Sequence, residues 1–385
     1  MYGSLQMISE TPRLMASPDP IVGFPHLAED LTAEWVTSAL RAGGVGHDVE
    51  VASIEYERLA AGVGFMGEVA RLRLGYRSAP DGAPASVIVK IPTQNPEVRA
   101  MLGPARVYER ETRFYQQLAG RPEVAAPKCF YAGIDAAADE HVLLLEDLSA
   151  WRNGDQASAC SVADAHGALA ALAAFHAAFW ESDSLRVLDW LPAINAEINK
   201  LTAEAVYAKS LRGFLEIFGD SLSTDTMDMA QRYGKGIRQL LDRLEALPNT
   251  VVHFDFRLDN LFFDGPDDSP VRLIDFQAVA RGGGAYDVGY FLSQSLDIED
   301  RRAHEPELLG TYLDSLAANG VSGYGRDQLE QDIRIGMLYS WIIPVMAVGG
   351  GFDLSDERAL RLWRAVVARS QAAITDHRAA ELLDA

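Results

Sequence analysis

VVHFDFRLDNLFFD, at residues 251–264, is the most informative stretch of this sequence. It contains His253, Asp255 and Asn260 in the spacing His-x-Asp-x₄-Asn, and Asp275 follows at the end of the apolar run VRLID. Amide and carboxylate oxygens are ligands for Mg²⁺ that carries phosphates, and a carboxylate can accept a proton from a hydroxyl. Because phosphoryl transfer needs mainly positioning and charge neutralisation, the pattern predicts Asp255 as a catalytic base and Asn260 and Asp275 as metal ligands. Each residue alone would fit an ordinary surface turn, but the full spacing favours a site.

A glycine run far upstream gives a second, weaker signal. Gly62, Gly64 and Gly67 form G-x-G-x-x-G between two strand-like segments, 49–59 and 68–76. A dinucleotide-binding turn joins a strand to a helix, whereas a glycine-rich hairpin folds over phosphates. The placement therefore favours an ATP-binding loop, and the alternative is an ordinary hairpin in a chain with 32 glycines.

Lysine is rare in this chain, since only five of its 34 basic residues are lysines. Lys90 lies inside the apolar segment 86–91, SVIVKI. An ammonium group there is costly unless it meets a negative charge. We therefore predict an acidic partner for Lys90, with an edge-strand lysine that points to water as the alternative.

The helix predicted after this strand offers that partner. Val107, Glu111, Phe114 and Leu118 recur on one face, so Glu111 should point inward with apolar neighbours. A carboxylate on a buried face needs a cation, and we predict an ion pair with Lys90 that directs the lysine toward the phosphates of ATP. The alternative is an ion pair between Glu111 and a neighbouring arginine of the same helix.

The overall composition is that of a globular protein and excludes some partners. Of 385 residues, 48% are hydrophobic and 23% are charged, and the formal net charge is −21. Such acidity repels phosphate backbones and anionic lipid heads, so no nucleic-acid or membrane partner is expected. Two cysteines, Cys129 and Cys160, and a leader unlike a signal peptide favour the cytoplasm. The sequence leaves the oligomeric state unknown.

The character of the chain changes near residue 148. Strand-like segments come before it, at 49–59, 68–76, 86–91, 129–134 and 141–145, with a helix predicted at 97–118. Helical segments dominate after it, such as 163–181 and 223–246, interrupted by a strand pair at 251–254 and 271–276. This predicts an α+β chain with a flexible extension (1–20), a nucleotide-binding lobe (21–147) and a larger catalytic and acceptor-binding lobe (148–385). Clefts between lobes are preferred ligand sites.

Together these features resemble the protein-kinase-like fold. More narrowly, the chain is similar to the aminoglycoside phosphotransferase and choline kinase superfamily, nearest its ecdysteroid-kinase-like branch. The resemblance runs from about residue 45 to 350. The matching stretches are ERETRFYQQL at 109–118, LLLEDL at 143–148, HFDFRLDN at 253–260 and LIDFQ at 273–277. It implies a bilobal fold, with a small antiparallel sheet and one main helix before a larger, mostly helical lobe.

The resemblance also implies a role for each matching residue. Asp255 would be the catalytic base, Asn260 and Asp275 would hold Mg²⁺, and Lys90, oriented by Glu111, would contact the ATP phosphates.

Further residues would act around this group. Backbone groups from Glu146 to Leu148 would form the hinge that faces adenine. Arg257 would neutralise the transferring phosphoryl group, and its alternative is an ion pair with Asp259. Two residues would support the catalytic loop structurally, His253 and Asp287.

Two departures from protein kinases narrow the expected function. Asp275 is followed by Phe276 and Gln277 instead of Phe-Gly, as is usual in the small-molecule branch. The segment 277–287 is short and no Ala-Pro-Glu motif follows it, which leaves little room for a peptide platform. We therefore expect a small-molecule O-kinase that uses ATP and Mg²⁺. The chain has no G-x-x-x-x-G-K-[ST] run of a P-loop NTPase.

The expected acceptor is an apolar alcohol, phenol, steroid-like or hydroxyacyl compound, in preference to an aminoglycoside or choline. This rests on the apolar stretch 335–349, predicted as a buried helix, in which Tyr339 and Trp341 could form a pocket wall. A plain core helix is the alternative, and the acidic charge could instead attract a cationic acceptor. The alternative function is a catalytically inactive, kinase-like nucleotide-binding scaffold.

Overall fold

A computed structural model of the chain describes residues 23–59, 67–265 and 270–384. The extension predicted at 1–20, and Gly62 and Gly64, lie outside the described residues. The helices are α1 (Ala33–Ala42), α2 (Pro96–Leu102), α3 (Val107–Gln117), α4 (Val162–Ala177), α5 (Glu197–Phe218), α6 (Thr224–Glu245), α7 (Ala285–Gln294), α8 (Ile298–Ala318), α9 (Arg326–Tyr339), α10 (Ile342–Gly349) and α11 (Glu357–Asp376). The strands are β1 (Glu50–Leu59), β2 (Gly67–Ser78), β3 (Ser86–Pro92), β4 (Cys129–Asp135), β5 (Glu140–Glu146), β6 (Arg152–Asn153), β7 (Asn249–Val252), β8 (Leu261–Phe263), β9 (Val271–Leu273) and β10 (Ala280–Gly283).

An antiparallel sheet with the strand order β1-β2-β3-β5-β4 forms the N-terminal lobe. Successive side chains of a strand point to opposite faces. In β3, Val87, Val89 and Ile91 are buried on the face that shares a hydrophobic cluster with α1. The same alternation puts Lys90 on the opposite face, which α3 covers.

The helix predicted at 97–118 is in fact interrupted. α2 ends at Leu102, and Gly103 and Pro104 follow in a short 3₁₀ turn, because proline cannot continue the hydrogen bonding of a helix. Arg106, with φ 50°, redirects the chain into α3. The inward face of α3 is as predicted, since Glu111 and Phe114 are both buried.

α3 packs against both lobes. Its Phe114 ring stacks on the ring of Phe276, with centroids 3.9 Å apart. Phe114 also belongs to the large hydrophobic cluster built mainly by α4, α7 and α8. The position of Glu111 is therefore fixed relative to the C-terminal lobe as well as to the sheet.

Short strands of the C-terminal lobe frame the segment between Val252 and Leu261. β7 pairs with β10, while β8 pairs with β6 and β9. Strands therefore exist in both predicted segments, 251–254 and 271–276. The sequence predicted them as a pair, but in the structure they do not pair with each other. The chain turns away from β7 after Val252, so β7 and β9 belong to different small sheets.

The apolar stretch near the C-terminus forms two helices instead of the one predicted. α9 ends at Tyr339 and α10 begins at Ile342, with the fully buried Trp341 at the junction. The span Arg326–Gly349 is apolar enough, at a mean hydropathy of 1.2, to cross a membrane by length and composition. Since 72% of its most apolar window is buried inside the protein, its packing is that of core helices.

α7 and α9 approach each other closely through glycine. A Cβ atom at Gly289 would lie 2.5 Å from the carbonyl oxygen of Ile333 and 2.8 Å from the amide nitrogen of Met337. A Cβ atom at Gly336 would lie 2.9 Å from Cα of Tyr286. These neighbours are backbone atoms, so neither contact can be relieved by a side-chain rotation.

We predict that Gly289→Ala destabilises the protein by about 1–3 kcal/mol, because overpacking outweighs the gain in helix propensity. Urea unfolding followed by circular dichroism measures the change. Gly310→Ala is the matched control, since it also lies inside a helix and its Cβ would lie 3.4 Å from one flexible arginine nitrogen. A Gly289→Ala variant as stable as the control would contradict the close approach.

His141 is a buried titratable group of the sheet. Its ring stacks on Tyr108, with centroids 4.7 Å apart, and only 2% of the residue is exposed. Nδ1 has no hydrogen-bond partner among the described residues. Burial, together with the positive charges of Lys90 and Arg99, lowers the pKa of His141 to about 3.

This lowered pKa makes folding stability depend on pH. The unfolded chain takes up a proton on His141 near pH 6.5, while the folded chain does so only near pH 3. Stability is therefore lost as the pH falls below about 6.5, by ~2 kcal/mol at pH 5. His141→Phe keeps a stacked ring and should remove this part of the loss in urea unfolding at pH 7 and 5. His47→Gln changes an exposed histidine and is the control, which should leave the pH dependence as it is; an unaltered slope in His141→Phe would refute the assignment.

Candidate active site

The predicted catalytic loop is the segment 253–260 between β7 and β8, and Asp287 holds its backbone. Phe254 adopts a left-handed conformation, with φ 69°. The fully buried Asp287 accepts hydrogen bonds from the backbone N–H of His253 at 2.7 Å and of Phe254 at 2.9 Å. A left-handed conformation costs a non-glycine residue about 1–2 kcal/mol. The two charge-assisted bonds offset that cost and fix the residue that precedes Asp255.

A buried chain of hydrogen bonds continues from Asp287 into the helical lobe. Nε2 of His176, on α4, lies 3.2 Å from Oδ2 of Asp287, and Nδ1 lies 2.8 Å from the hydroxyl of Tyr312 on α8. Because an ionised carboxylate only accepts, Nε2 donates to Asp287 and Nδ1 accepts from Tyr312. His253 makes a separate bond from Nε2 to the carbonyl oxygen of Ile274 at 2.9 Å, which ties the loop to the residue before Asp275.

Three side chains surround the carboxylate of Asp255. Oδ1 accepts from the hydroxyl of Tyr290 at 3.2 Å and lies 3.3 Å from Nε of Arg257, and Oδ2 accepts from Nδ2 of Asn260 at 2.9 Å. Burial acts to raise the pKa of Asp255, but Arg257, His253 and these hydrogen bonds outweigh it and lower the pKa. Asp255 is therefore ionised and oriented at neutral pH, as is required of a group that accepts the proton of a hydroxyl.

Arg257 contacts two carboxylates, those of Asp255 and Asp259. Nη1 lies 2.5 Å from Oδ2 of Asp259, so the alternative ion pair is present, and Nε contacts Asp255 as well. Asp259 in turn accepts from the backbone N–H of Gln156 at 3.1 Å and lies 3.7 Å from Arg358 at the start of α11. The guanidinium is thus fixed next to Asp255 between two carboxylates.

Lys90, on β3, contacts both α3 and the residue that lies two positions after the end of β9. Its Nζ lies 2.6 Å from Oε1 of Glu111, which is the ion pair predicted from the sequence. It also lies 2.9 Å from Oδ1 of Asp275, a contact that the sequence did not indicate. Burial acts to lower the pKa of Lys90, but the carboxylates of Asp275 and Glu111 outweigh it and raise the pKa, so the lysine stays charged.

Asn260 and Asp275 supply oxygens suited to Mg²⁺. Nδ2 of Asn260 donates to the backbone and side chain of Asp255, which leaves its Oδ1 as an acceptor for a cation. The carbonyl oxygen of Asn260 accepts from the N–H of Ile274 at 3.0 Å, which brings Asp275 close to it. In residues 23–59, 67–265 and 270–384 no three or more His, Cys, Asp or Glu side chains form a metal cluster. An amide and a carboxylate completed by phosphate oxygens and water are a donor set that fits Mg²⁺.

The predicted hinge is anchored to the sheet. Glu146 ends β5, and its Oε2 accepts from the backbone N–H of Lys128 at 3.0 Å. Asp147 accepts from Arg71 on β2 at 2.8 Å and from Ser86 on β3 at 2.7 Å. Leu148 is buried directly after it. Gly67, the described glycine of the predicted phosphate loop, begins β2 and lies against Ile91, since a Cβ atom there would come within 2.6 Å of its carbonyl oxygen.

The model of one protein family, the ecdysteroid kinase-like family, matches residues 61–320, which is more than half of the chain. This chain belongs to the ecdysteroid kinase-like family. The match confirms the resemblance stated from the sequence and makes the chain a member of a kinase-like family of small-molecule phosphotransferases.

Comparisons with individual proteins agree with the family. An uncharacterised kinase-like protein of Caenorhabditis elegans is 24% identical over 223 residues, and the match spans 56% of each chain. The crystal structure of a candidate aminoglycoside phosphotransferase from Ralstonia eutropha JMP134 superposes with a TM-score of 0.51 at 15% identity. That superposition covers 90% of this chain and 98% of the other, and at this identity it shows a shared fold. The predicted α+β, protein-kinase-like bilobal fold is therefore confirmed.

The structure adds site residues of this ecdysteroid kinase-like chain that the sequence did not reveal. Tyr290 contacts Asp255, Gln277 donates from Nε2 to Oδ2 of Asp275 at 2.9 Å, and His176 contacts Asp287. Gln156 accepts from the N–H of Leu258 at 2.9 Å. The spacing of Asp287 and Tyr290, one helical turn apart, is the signal that could have indicated Tyr290, because residues three apart share a helix face.

We predict that Asp287→Asn destabilises the protein by about 2–3 kcal/mol, since the amide removes the charge and turns one acceptor into a donor that faces other donors. Urea unfolding measures the loss, and hydrogen exchange should show faster opening of the His253 and Phe254 amides. Asp314→Asn, an exposed change on α8, is the control. Equal stability of the two variants would contradict the bracing role of Asp287.

Proposed function

We propose that this ecdysteroid kinase-like chain is an ATP- and Mg²⁺-dependent phosphotransferase that phosphorylates a hydroxyl group of a small molecule. The observation that carries the proposal is the convergence of two contacts of 2.9 Å, between Asp255 and Asn260 and between Asp275 and Lys90, which the hydrogen bond from Ile274 to Asn260 brings together. An inactive scaffold would not need an ionised, oriented carboxylate beside two metal-type oxygens and a half-buried, charged lysine.

In this proposal the lobe at 21–147 binds the nucleotide and the lobe at 148–385 carries the catalytic residues and the acceptor pocket. Lys90, held by Glu111, contacts the ATP phosphates. Backbone groups between Glu146 and Leu148 face adenine, and the glycine run that includes Gly62, Gly64 and Gly67 covers the phosphates. The anchored position of Asp147 supports this arrangement, because it holds the segment between the lobes against the sheet.

Asn260 and Asp275 would hold Mg²⁺, which neutralises charge on the phosphates when it is bound. Gln277 keeps the second oxygen of Asp275 in place, and Lys90 contacts the first. In the nucleotide complex, the ammonium group of Lys90 would contact both the phosphates and the carboxylate of Asp275.

Asp255 is proposed to accept a hydrogen bond, and then the proton, from the acceptor hydroxyl. The hydroxyl oxygen forms a bond to the γ-phosphorus while the bond from that phosphorus to the bridging oxygen of ADP breaks. The products are a phosphate monoester and ADP. Because the transition state of phosphoryl transfer is loose, a carboxylate with a lowered pKa can serve by orienting the hydroxyl before the proton moves. Arg257 lies beside Asp255 and would neutralise charge on the phosphoryl oxygens.

Exposed and half-buried apolar side chains of the C-terminal lobe support an apolar acceptor. The ring of Phe254 is half-buried and stacks on Tyr286 with centroids 4.7 Å apart. Met346 on α10 is 40% exposed and Phe352, between α10 and α11, is 48% exposed. The contact of Arg358 with Asp259 brings the start of α11 to the loop.

Tyr339 and Trp341, the wall suggested by the sequence, are buried in the core instead. We propose Phe254, which directly precedes Asp255, as the candidate wall, with the exposed Met346 and Phe352 as further candidates. We propose an apolar alcohol, phenol, steroid-like or hydroxyacyl compound as acceptor, in preference to an aminoglycoside or choline. The acidic net charge of −21 supports an enzyme without nucleic-acid or membrane partners, and the two free cysteines, Cys129 and Cys160, support a cytoplasmic location.

The test is ATP consumption by the purified protein with a panel of aminoglycosides, choline, sterols, phenols and hydroxyacyl thioesters. We predict Mg²⁺-dependent turnover with an apolar hydroxyl compound, lost on chelation with EDTA and reduced at least ~100-fold in Asp255→Asn. Asp314→Asn, which makes the same chemical change on an exposed helix face, should retain full activity. Nucleotide binding without turnover on any acceptor would instead favour the inactive scaffold.

A further inference from the structure

We propose that Tyr290 is a positioning residue for the phosphoryl transfer, because its phenol hydroxyl fixes the rotation of the Asp255 carboxylate. This inference rests on the proposed function. Tyr290 lies on α7, one turn after Asp287, so the helix that braces the backbone of the loop also contacts its central side chain. The backbone that precedes Asp255 and the carboxylate of Asp255 are thus both held by α7.

The phenol of Tyr290 is well suited to donate. The residue is 1% exposed, and a buried tyrosine hydroxyl needs a hydrogen-bond partner. The Tyr290 hydroxyl donates to Oδ1 of Asp255, at 3.2 Å. Burial and the negative charge of Asp255 raise the pKa of Tyr290 far above its ordinary value, so the hydroxyl stays protonated and donates a hydrogen bond to the carboxylate.

The other contacts of Asp255 restrain Oδ2 more firmly than Oδ1, so the bond from Tyr290 is needed to restrain Oδ1. Asn260 holds Oδ2 at 2.9 Å, while Arg257 approaches both oxygens at 3.3 and 3.4 Å and is drawn toward Asp259 by a 2.5 Å contact. The terminal torsion of an aspartate has a broad energy minimum. Without Tyr290, Oδ1 would be restrained by the shared arginine alone. Small errors in the orientation of a reacting group reduce rates by one to two orders of magnitude.

The first experiment compares the Tyr290→Phe variant with the unsubstituted protein, both full-length, using the acceptor identified in the panel as substrate. We expect kcat to fall ~10-fold or more, with the KM for ATP unchanged, because only the orientation of the carboxylate is affected. Tyr207→Phe is the matched control, since Tyr207 is also 1% exposed and its hydroxyl donates one bond, to the carbonyl oxygen of Ala230 at 2.7 Å. The two variants should lose similar thermal stability, and the control should keep its kcat.

A double-mutant cycle separates positioning from a general structural role. In Asp255→Asn, measured by single-turnover formation of labelled product, the further change Tyr290→Phe should have little additional effect, because Tyr290 acts through that carboxylate. Equal losses in both backgrounds would overturn the inference, as would an unchanged kcat in Tyr290→Phe alone. If Asp255→Asn itself retains full turnover, the proposed function fails. If it loses turnover while Tyr290→Phe does not, only the role of Tyr290 fails.

Discussion

The buried carboxylate of Asp287 is the interaction on which the geometry of the site depends. Phe254 has no intrinsic preference for a left-handed backbone, and this conformation directly precedes Asp255. Asp287 accepts two consecutive backbone N–H groups and is itself fixed by His176, which Tyr312 holds in turn. A buried charge is tolerated only when such donors surround it. The strain in the loop, the burial of Asp287 and the glycine contact that seats α7 against α9 are therefore parts of one arrangement.

A second arrangement connects the two lobes through charge. Side chains of β3 point alternately to the two faces of the sheet, so Lys90 lies on the face opposite to α1. Glu111, on the buried face of α3, forms an ion pair with it there. Asp275 completes the group from the far lobe. Because Phe114 stacks on Phe276, α3 is attached to the same lobe that carries Asp275. The lysine thus lies between two carboxylates that belong to one packed unit, and an anionic ligand that enters the cleft would compete with them for its charge.

Much of this could be predicted from the sequence, and the failures have physical reasons. Alternation in β3 and the periodicity of α3 are local patterns, so the Lys90–Glu111 contact followed from them. The break before α3 was signalled by Gly103 and Pro104 but was missed because the apolar period continues across it. The pairing of β7 with β10 depends on contacts between distant segments, which strands of three or four residues do not encode locally. Tyr290, Gln277 and His176 were missed for the same reason, since each is defined by what it touches in space.

The residues around Asp255 also indicate what limits a reaction at this site. Three side chains and a nearby histidine lower the pKa of the carboxylate, which makes it a weaker base. Such an arrangement would be unfavourable if the rate depended on removing the proton early. It is favourable if the transition state is loose and the carboxylate mainly orients the hydroxyl, because each donor that weakens the base also fixes its direction. The same reasoning gives the buried Tyr290 a part in the proposed reaction: if Asp255 orients the acceptor hydroxyl, the donors that hold its carboxylate also set the direction of that hydroxyl.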